Sequence, residues 1–312
     1  TSVSLMPGGR DPMDIDLGIA LAGLIVGFVV GLTGMGGGAL MTPILVLLFK
    51  IEPLAAVSSD IVASMIMKPI GGGIHFKRGS VNKELVKWLV MGSIPSAFLG
   101  VVLLKTLGHG PALQSLVKTS LGVALLVVAF GLVVRPLLVR ARKPGESLAP
   151  LQVKKLPTLL IGVAGGLIVG LTSVGSGSLM IIMLLMLYPS FKLSELVGTD
   201  LVQAVPLVAS AALGHVLFGD FKLALTTSIL VGAIPGVFLG AQLSSRAPDH
   251  VIRPALIIVL LASSTKLLGA SNALAGIAVA LAAVVMVAVS LIGSRRRSSA
   301  AKSLVGVDAT AR

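Results

Sequence analysis

The chain has 312 residues, of which 55% are hydrophobic and 12% charged, and its mean hydropathy is +1.04. A soluble domain with this balance would lack the polar surface needed to cover itself. Apolar runs of about 20 residues, separated by charged loops, are instead typical of a polytopic helical membrane protein. The net charge of +13 does not indicate nucleic-acid binding, because the basic residues flank the apolar runs and one Trp and one Tyr offer almost no stacking surface. Anionic lipid headgroups are the better partner for this charge.

The residue types also restrict the chemistry. There is no cysteine, which excludes disulfides, thiolate metal sites and cysteine catalysis. No metal-ligand spacing, phosphate-binding loop or nucleophile motif is present, so we predict no metal, no cofactor and no enzymatic activity. The pattern leaves the oligomeric state open, and a homo-oligomer is compatible with it.

In chain order, residues 1–14 are expected to form a polar extramembrane lead without the pattern of a signal peptide. A first helix at about 15–33 ends at a glycine-rich break, and a short second helix follows at about 39–49. That second helix would be about 16 Å long, too short for a hydrocarbon core of about 30 Å. The pair therefore forms either a re-entrant hairpin or a crossing of a thinned region. Three further helices are expected at about 56–74, 84–104 and 112–134.

The break reads Gly31-Leu-Thr-Gly-Met-Gly-Gly-Gly-Ala-Leu-Met41. Each glycine inside a helix costs about 1 kcal/mol relative to alanine, so five glycines in eight residues predict an interruption. A second copy, Gly170-Leu-Thr-Ser-Val-Gly-Ser-Gly-Ser-Leu-Met180, follows 139 residues later. Two matched broken helices in the halves of a membrane chain are typical of a transport site.

Rare residues confirm that the second half repeats the first. Asp60, His75, Pro95 and Gly100 are all matched by the same residue type 140 positions later. We therefore predict an all-α membrane bundle of two five-segment repeats with broken or short helices and one extra C-terminal helix. The expected division is 15–134 for repeat 1, 135–155 for a basic cytoplasmic linker, 156–268 for repeat 2, 269–293 for the extra helix and 294–312 for a basic cytoplasmic tail.

Loop charges predict the orientation. With the N-terminus outside, the inner segments carry 18 of the 25 lysines and arginines, as the positive-inside rule requires. Each repeat then makes an odd number of net crossings, which predicts inverted repeats. The expected location is the cytoplasmic membrane, with the N-terminus outside and the C-terminus in the cytoplasm.

The helices that start at the breaks would point free N–H groups and positive dipole ends into the protein, where they attract anions. The alternative is close helix packing through small residues. Polar residues of the neighbouring helices join the predicted anion site. Its candidate residues are Thr33, Gly34, Gly36, Gly37, Gly38, Ser58, Ser59, Thr172, Ser173, Gly175, Ser176, Gly177, Ser178, Thr199 and Gln203.

Five ionisable residues are candidates for proton coupling or gating. Asp60 and Asp200 occupy one repeat position, and an intramembrane carboxylate needs a partner or a function; the alternative is that each caps a local helix start. Lys68 pairs with Asp60, adds positive charge to an anion path or snorkels to the inner interface. His75 and His215 act in a proton relay or merely cap matched helix ends.

These residues also resemble a known family, the sulfite exporter TauE/SafE membrane transporters. The resemblance rests on the Gly34-Met-Gly-Gly-Gly38 break before a short helix with Pro43, on Val197-Gly-Thr-Asp200, and on the repeated His-x3-Gly and Pro-x4-Gly steps. It covers about residues 15–270 and implies transport of sulfur-containing anions such as sulfite and organosulfonates. The second copy departs from the glycine pattern at Gly175-Ser-Gly-Ser178, and the first has Ser58-Ser-Asp60 in place of Gly-Thr-Asp.

The sequence therefore predicts a secondary transporter for a small anion, a sulfur oxyanion or organosulfonate, which works by alternating access with Asp60 and Asp200 as proton-coupling candidates. The nearest rival is a uniporter or channel with the same site. A non-transporting membrane subunit is the rival from another class, although the chain offers no sizeable extramembrane domain for a partner.

Overall fold

The structure is a computed structural model, and it describes residues 15–33, 37–77, 81–108, 110–138, 152–189, 193–243 and 249–284. Within these ranges the chain is helical, with eleven helices and no strand. The first five are α1 Leu17–Thr33, α2 Gly38–Leu47, α3 Pro53–Lys77, α4 Lys83–Thr106 and α5 Pro111–Leu138. The others are α6 Lys155–Thr172, α7 Leu179–Leu187, α8 Leu193–Phe218, α9 Leu223–Leu243, α10 Asp249–Leu267 and α11 Asn272–Val284.

Five of the described helices are long and apolar enough to cross a membrane. They are Lys83–Thr106, Pro111–Arg135, Lys155–Thr172, Glu195–Phe218 and Leu223–Leu243. Large apolar side chains such as Phe130, Phe238 and Leu281 are exposed on the bundle surface, where lipid would cover them. The predicted all-α polytopic architecture is confirmed.

Both predicted interruptions are present. α2 has 10 residues and α7 has 9, which is about 15 Å or less at about 1.5 Å per residue. The second break passes through left-handed backbone at Ser173 (φ 63°), Gly175 (φ 134°) and Gly177 (φ 96°), a region that glycine enters without steric cost. Glycine therefore serves here to turn the chain between two helices.

The first helix of each repeat packs against the fourth helix of the other repeat. α1 and α9 make the most extensive helix contact of the described structure, and α4 with α6 makes the next. Gly23, Gly27 and Gly31 of α1 meet successive turns of α9, and Gly232, Gly236 and Gly240 of α9 meet α1 in return. Because the order along both helices is the same, the two run parallel. Small residues let the backbones approach closely, as in other membrane helix pairs.

The same arrangement recurs between α4 and α6. Gly162, Gly166 and Gly170 of α6 face α4, while Gly92 and Gly100 of α4 face α6. These glycines are the repeat equivalents of those in the α1–α9 pair. The two repeats are therefore interlocked, because each supplies one helix to each glycine-rich pair.

The equivalent helices α3 and α8 run antiparallel through the centre. The backbone N–H of Lys222, just after α8, donates to Ser59 Oγ near the start of α3 at 3.2 Å. The backbone N–H of Asn82, just after α3, donates to Thr199 Oγ1 near the start of α8 at 3.0 Å. The two bonds are equivalent, because Ser59 and Asn82 of the first repeat correspond to Thr199 and Lys222 of the second. The two repeats are therefore related by a two-fold axis that is perpendicular to α3 and α8. The predicted inversion of the repeats is confirmed.

Helix lengths differ from the expectation in two places. α3 begins at Pro53, three residues earlier than expected, because proline suits the first turn of a helix. α5 continues to Leu138, so the first residues of the predicted 135–155 linker are helical. Arg135 lies in the last turn of α5, where a cation interacts favourably with the helix dipole.

Candidate functional site

The two breaks meet in the interior of the bundle. Gly38, at the start of α2, packs directly against the backbone of Ser173, in the break between α6 and α7. Neither short helix has a side-chain hydrogen bond at its N-cap, at Gly37 for α2 or Ser178 for α7. Both N-termini are buried. The positive ends of both short helices are therefore inside the protein.

Asp60 of α3 connects the two breaks. Its Oδ2 accepts hydrogen bonds from Thr42 Oγ1 of α2 at 2.8 Å and from Ser173 Oγ at 2.7 Å. The side chain is 2% exposed. Asp60 is the eighth residue of α3 and bonds to other elements, so the alternative that it caps its own helix does not hold. Its two hydrogen bonds tie the repeats together at the breaks.

Lys68 lies two turns further along the same face of α3. Its Nζ donates to Ser176 Oγ in the second break, and its ammonium interacts electrostatically with both Asp60 and Asp200. A side chain that reaches into the break does not extend to the membrane interface, so the snorkelling alternative is wrong. The structure therefore places a cation in the second break, just before the start of α7.

Asp200 of α8 has different partners from Asp60. Its Oδ1 accepts from Gln203 Nε2 at 2.9 Å, and Gln203 Oε1 accepts from Ser93 Oγ of α4 at 3.4 Å. The backbone of Gly177, just before α7, lies beside the carboxylate. Asp200 is fully buried, and its Oδ2 accepts no hydrogen bond from any residue that the structure describes. As with Asp60, the side chain does not cap its own helix.

Ser58 and His215 form a separate buried contact. Since the Gly170 carbonyl oxygen can only accept, His215 Nε2 donates to it at 2.8 Å. His215 Nδ1 then accepts from Ser58 Oγ at 2.8 Å, and Ser58 Oγ accepts from the backbone N–H of Asp220 at 3.2 Å. His215 thus joins α8 to α3 and α6 and does not cap its helix end. Ser58, Ser59 and Thr199 each accept a hydrogen bond from a backbone N–H in the segment just after α8 or α3.

The remaining candidates divide into three groups. Thr33 and Thr172 occupy equivalent positions at the ends of α1 and α6, and each hydroxyl donates to the carbonyl four residues earlier, at 2.8 and 2.6 Å. Gly175 and Ser178 are buried in the second break. Gly34, Gly36 and the side chain of His75 lie outside the described residues.

The comparisons with known proteins agree with this architecture. The family model for the sulfite exporter TauE/SafE matches residues 19–267. The chain belongs to the TauE/SafE family. It is 40% identical over 259 residues to the "Probable membrane transporter protein YjnA" of Bacillus subtilis, a match that covers 81% of this chain and all of the relative. "Probable membrane transporter protein YdhB" of the same organism is 22% identical over 244 residues, 77% of this chain and 95% of the relative. No solved structure matches the chain.

Membership of the TauE/SafE family makes the chain a membrane transporter, and its relatives carry the names of transporters and not of enzymes. The matched region ends at residue 267, where α10 ends. It therefore contains both breaks, both aspartates and Lys68, whereas α11 lies beyond it. The described residues contain no group of His, Asp and Glu side chains that could hold a metal ion.

The structure adds three site residues to the TauE/SafE sequence motifs. Thr42 binds Asp60, Ser93 binds Gln203, and Ser64 is buried close to Gly37. The spacing of Asp60, Ser64 and Lys68, four residues apart, could have identified Ser64, because such residues share one helix face. Thr42 and Ser93 have no comparable local signal.

Proposed function

We propose that this transporter is a secondary carrier that binds a small anion where the two breaks meet. The observation that carries the proposal is the position of Lys68, whose Nζ bonds to Ser176 in the second break, just before the buried start of α7. A cation, a hydroxyl and two helix N-termini are the groups that proteins use to bind anions.

A sulfur oxyanion or organosulfonate is the proposed solute. The family description, sulfite exporter, supports this class. The site supports it as well, since tetrahedral oxyanions accept several hydrogen bonds at once, from an ammonium, from hydroxyls and from backbone N–H groups. Asp60 and Asp200 are the two candidates for the coupling group, because each is buried and interacts with the Lys68 charge.

Alternating access would move bundles that contain helices of both repeats. Backbone contact through the glycines joins α1 to α9 and α4 to α6, so a repeat cannot rock as one body without separating these pairs. We expect each pair to move as a unit about the central α3–α8 contact, in a cytoplasmic membrane with the N-terminus outside.

The direct test is transport by the purified full-length protein in liposomes, with sulfite, thiosulfate, methanesulfonate and sulfoacetate as solutes. Lys68→Met should weaken anion binding by about 10- to 100-fold, because hydrogen bonds to a charged group contribute about 1.5–3 kcal/mol. Lys87→Met is the matched control, since Lys87 is an exposed lysine near the start of α4. Equal flux in wild type and Lys68→Met would contradict the site.

The same assay separates the rival functions. Flux that is independent of any ion gradient and does not saturate would favour a channel. Absence of flux for every solute would favour a non-transporting subunit and overturn the proposal.

A further inference from the structure

The two aspartates occupy one repeat position but differ in how their oxygens are satisfied. Asp60 Oδ2 accepts two hydroxyl bonds, from Thr42 and Ser173, which come from the two breaks. Asp200 accepts its one side-chain bond at Oδ1, from Gln203, while its buried Oδ2 accepts none from any described residue. The hydroxyl donors of Asp60 thus belong to both breaks, whereas the side-chain donor of Asp200 belongs to its own helix.

The position of Asp200 matters as much as its hydrogen bonds. Its carboxylate lies beside the Gly177 backbone at the start of α7 and interacts with the Lys68 ammonium. These are the two positive features that an incoming anion would use. The Asp200 carboxylate therefore makes the interactions with Lys68 and the start of α7 that a bound anion would make.

We propose that Asp200 is the residue that couples protons to anion binding, and that Asp60 is a structural tie between the breaks. The inference rests on the proposed anion-transport function and assigns its coupling to one of the two equivalent carboxylates. When Asp200 takes up a proton at its carboxylate, Lys68 and the start of α7 become available to the anion. When the anion leaves, the proton leaves and the Asp200 carboxylate again faces Lys68. One proton and one anion thus enter and leave the site together.

The charges around Asp200 support the pairing with Lys68. Of the elements packed against α8, α3 contributes Asp60 and Lys68 inside the bundle, and α7 has no charged residue. The described charged side chains of α4 and α6 are exposed near helix ends, and they are Lys83, Glu84, Lys87, Lys105 and Lys155. At the far end of α3, the side chains of His75 and Lys77 lie outside the described residues. On α8 itself, Glu195 lies in the first turn and His215 is engaged by Ser58 and Gly170.

Binding measured against pH tests the inference. The probes are thiosulfate and methanesulfonate, which stay fully ionised, with full-length protein and a thermal-shift readout from about pH 5 to about pH 8. If one proton accompanies each anion, the wild-type Kd should rise by up to about tenfold per pH unit as Asp200 loses its proton. Asp200→Asn should bind at all pH values about as tightly as wild type does at low pH.

Asp60→Asn is the matched control at the equivalent position. It should lower the melting temperature and keep the pH dependence of binding, because the tie is weakened while Asp200 still titrates. A retained pH dependence in Asp200→Asn overturns the inference, as does a flat profile in a folded Asp60→Asn protein. Asp200→Glu retains a titrating carboxyl and should keep the pH dependence. This second variant keeps the test decisive if Asp200→Asn fails to fold.

A liposome assay gives an independent readout. Asp200→Asn should lose accumulation driven by a pH gradient and keep exchange of internal for external anion, since exchange needs no net proton movement. If wild type neither binds nor moves the two probes, the proposed function falls together with the inference. If wild type does so and Asp200→Asn remains driven by pH, only the inference falls.

Discussion

Gly38 and Ser173 lie so close that a Cβ built on Gly38 would be 2.0 Å from the carbonyl oxygen of Ser173. No side-chain rotation can relieve a contact between Cβ and backbone. Gly38→Ala should therefore separate the two breaks, lower the melting temperature and abolish anion binding. Thermal unfolding and liposome flux of the purified variant measure both effects.

Gly37→Ala is the control for this prediction. A Cβ at Gly37 would meet its nearest atoms at 3.8–3.9 Å, all in side chains, and Gly37 already has helical backbone with φ −58°. This variant should keep wild-type stability and flux. Similar losses in both variants would show that glycine is needed at the break for a reason other than the contact with Ser173.

The interlocked glycine pairs should be sensitive to single methyl groups. A Cβ at Gly232 of α9 would lie 1.7 Å from the carbonyl oxygen of Ala20 in α1. Gly232→Ala should therefore destabilise the folded protein, since overpacking a tight contact typically costs about 1–3 kcal/mol. Gly276→Ala in α11, where no atom lies within 4 Å, should leave the unfolding temperature unchanged or raise it. An equal change of unfolding temperature in Gly232→Ala and Gly276→Ala would contradict the close packing of α1 against α9.

Ser58 should act through stability and not through proton transfer. Ser58→Ala leaves His215 Nδ1 and the Asp220 N–H without their bond partner, and the loss at the buried histidine costs about 1–3 kcal/mol. The melting temperature should fall, while the pH dependence of anion binding keeps its shape. Thr227→Ala removes an exposed hydroxyl that bonds only within α9 and should have little effect. A changed pH profile of anion binding in Ser58→Ala would instead indicate that His215 takes part in a proton relay.

The orientation of the chain in the membrane can be measured by labelling single introduced cysteines, because the sequence has no cysteine of its own. Thr106→Cys, exposed near the end of α4, and Gln152→Cys, exposed before α6, lie on opposite predicted faces. In intact cells, a membrane-impermeant maleimide should label only Thr106→Cys. Labelling of only Gln152→Cys would reverse the predicted orientation.

The sequence was sufficient to predict the features that occur in both repeats. The matched breaks, Asp60 with Asp200, and the inversion all follow from positions related by 139 or 140 residues and from loop charge. Ser59 and Thr199 show why this works, since each accepts the equivalent backbone N–H from the other repeat. A symmetric sequence predicts symmetric contacts.

The asymmetric contacts could not be predicted in the same way. Lys68 is matched by Val208, and Gln203 by Ala63, so the repeat gives no guide to their partners. Ser58 and His215 are 157 residues apart, and a bond between them depends on how α3 and α8 are juxtaposed in space. Ser173 adopts left-handed backbone where glycine would be expected, and its hydroxyl bond to Asp60 is one compensating contact.

The parallel glycine contacts have a consequence for biogenesis. α1 is made first, but the α9 surface that covers its glycines emerges roughly 200 residues later, a delay of about 10–40 s at typical synthesis rates. A nascent chain that has completed only its first five helices still lacks the partners of both α1 and α4. Half of this protein is therefore not a folding unit, and the insertion machinery must keep the early helices apart from wrong neighbours until the second half arrives.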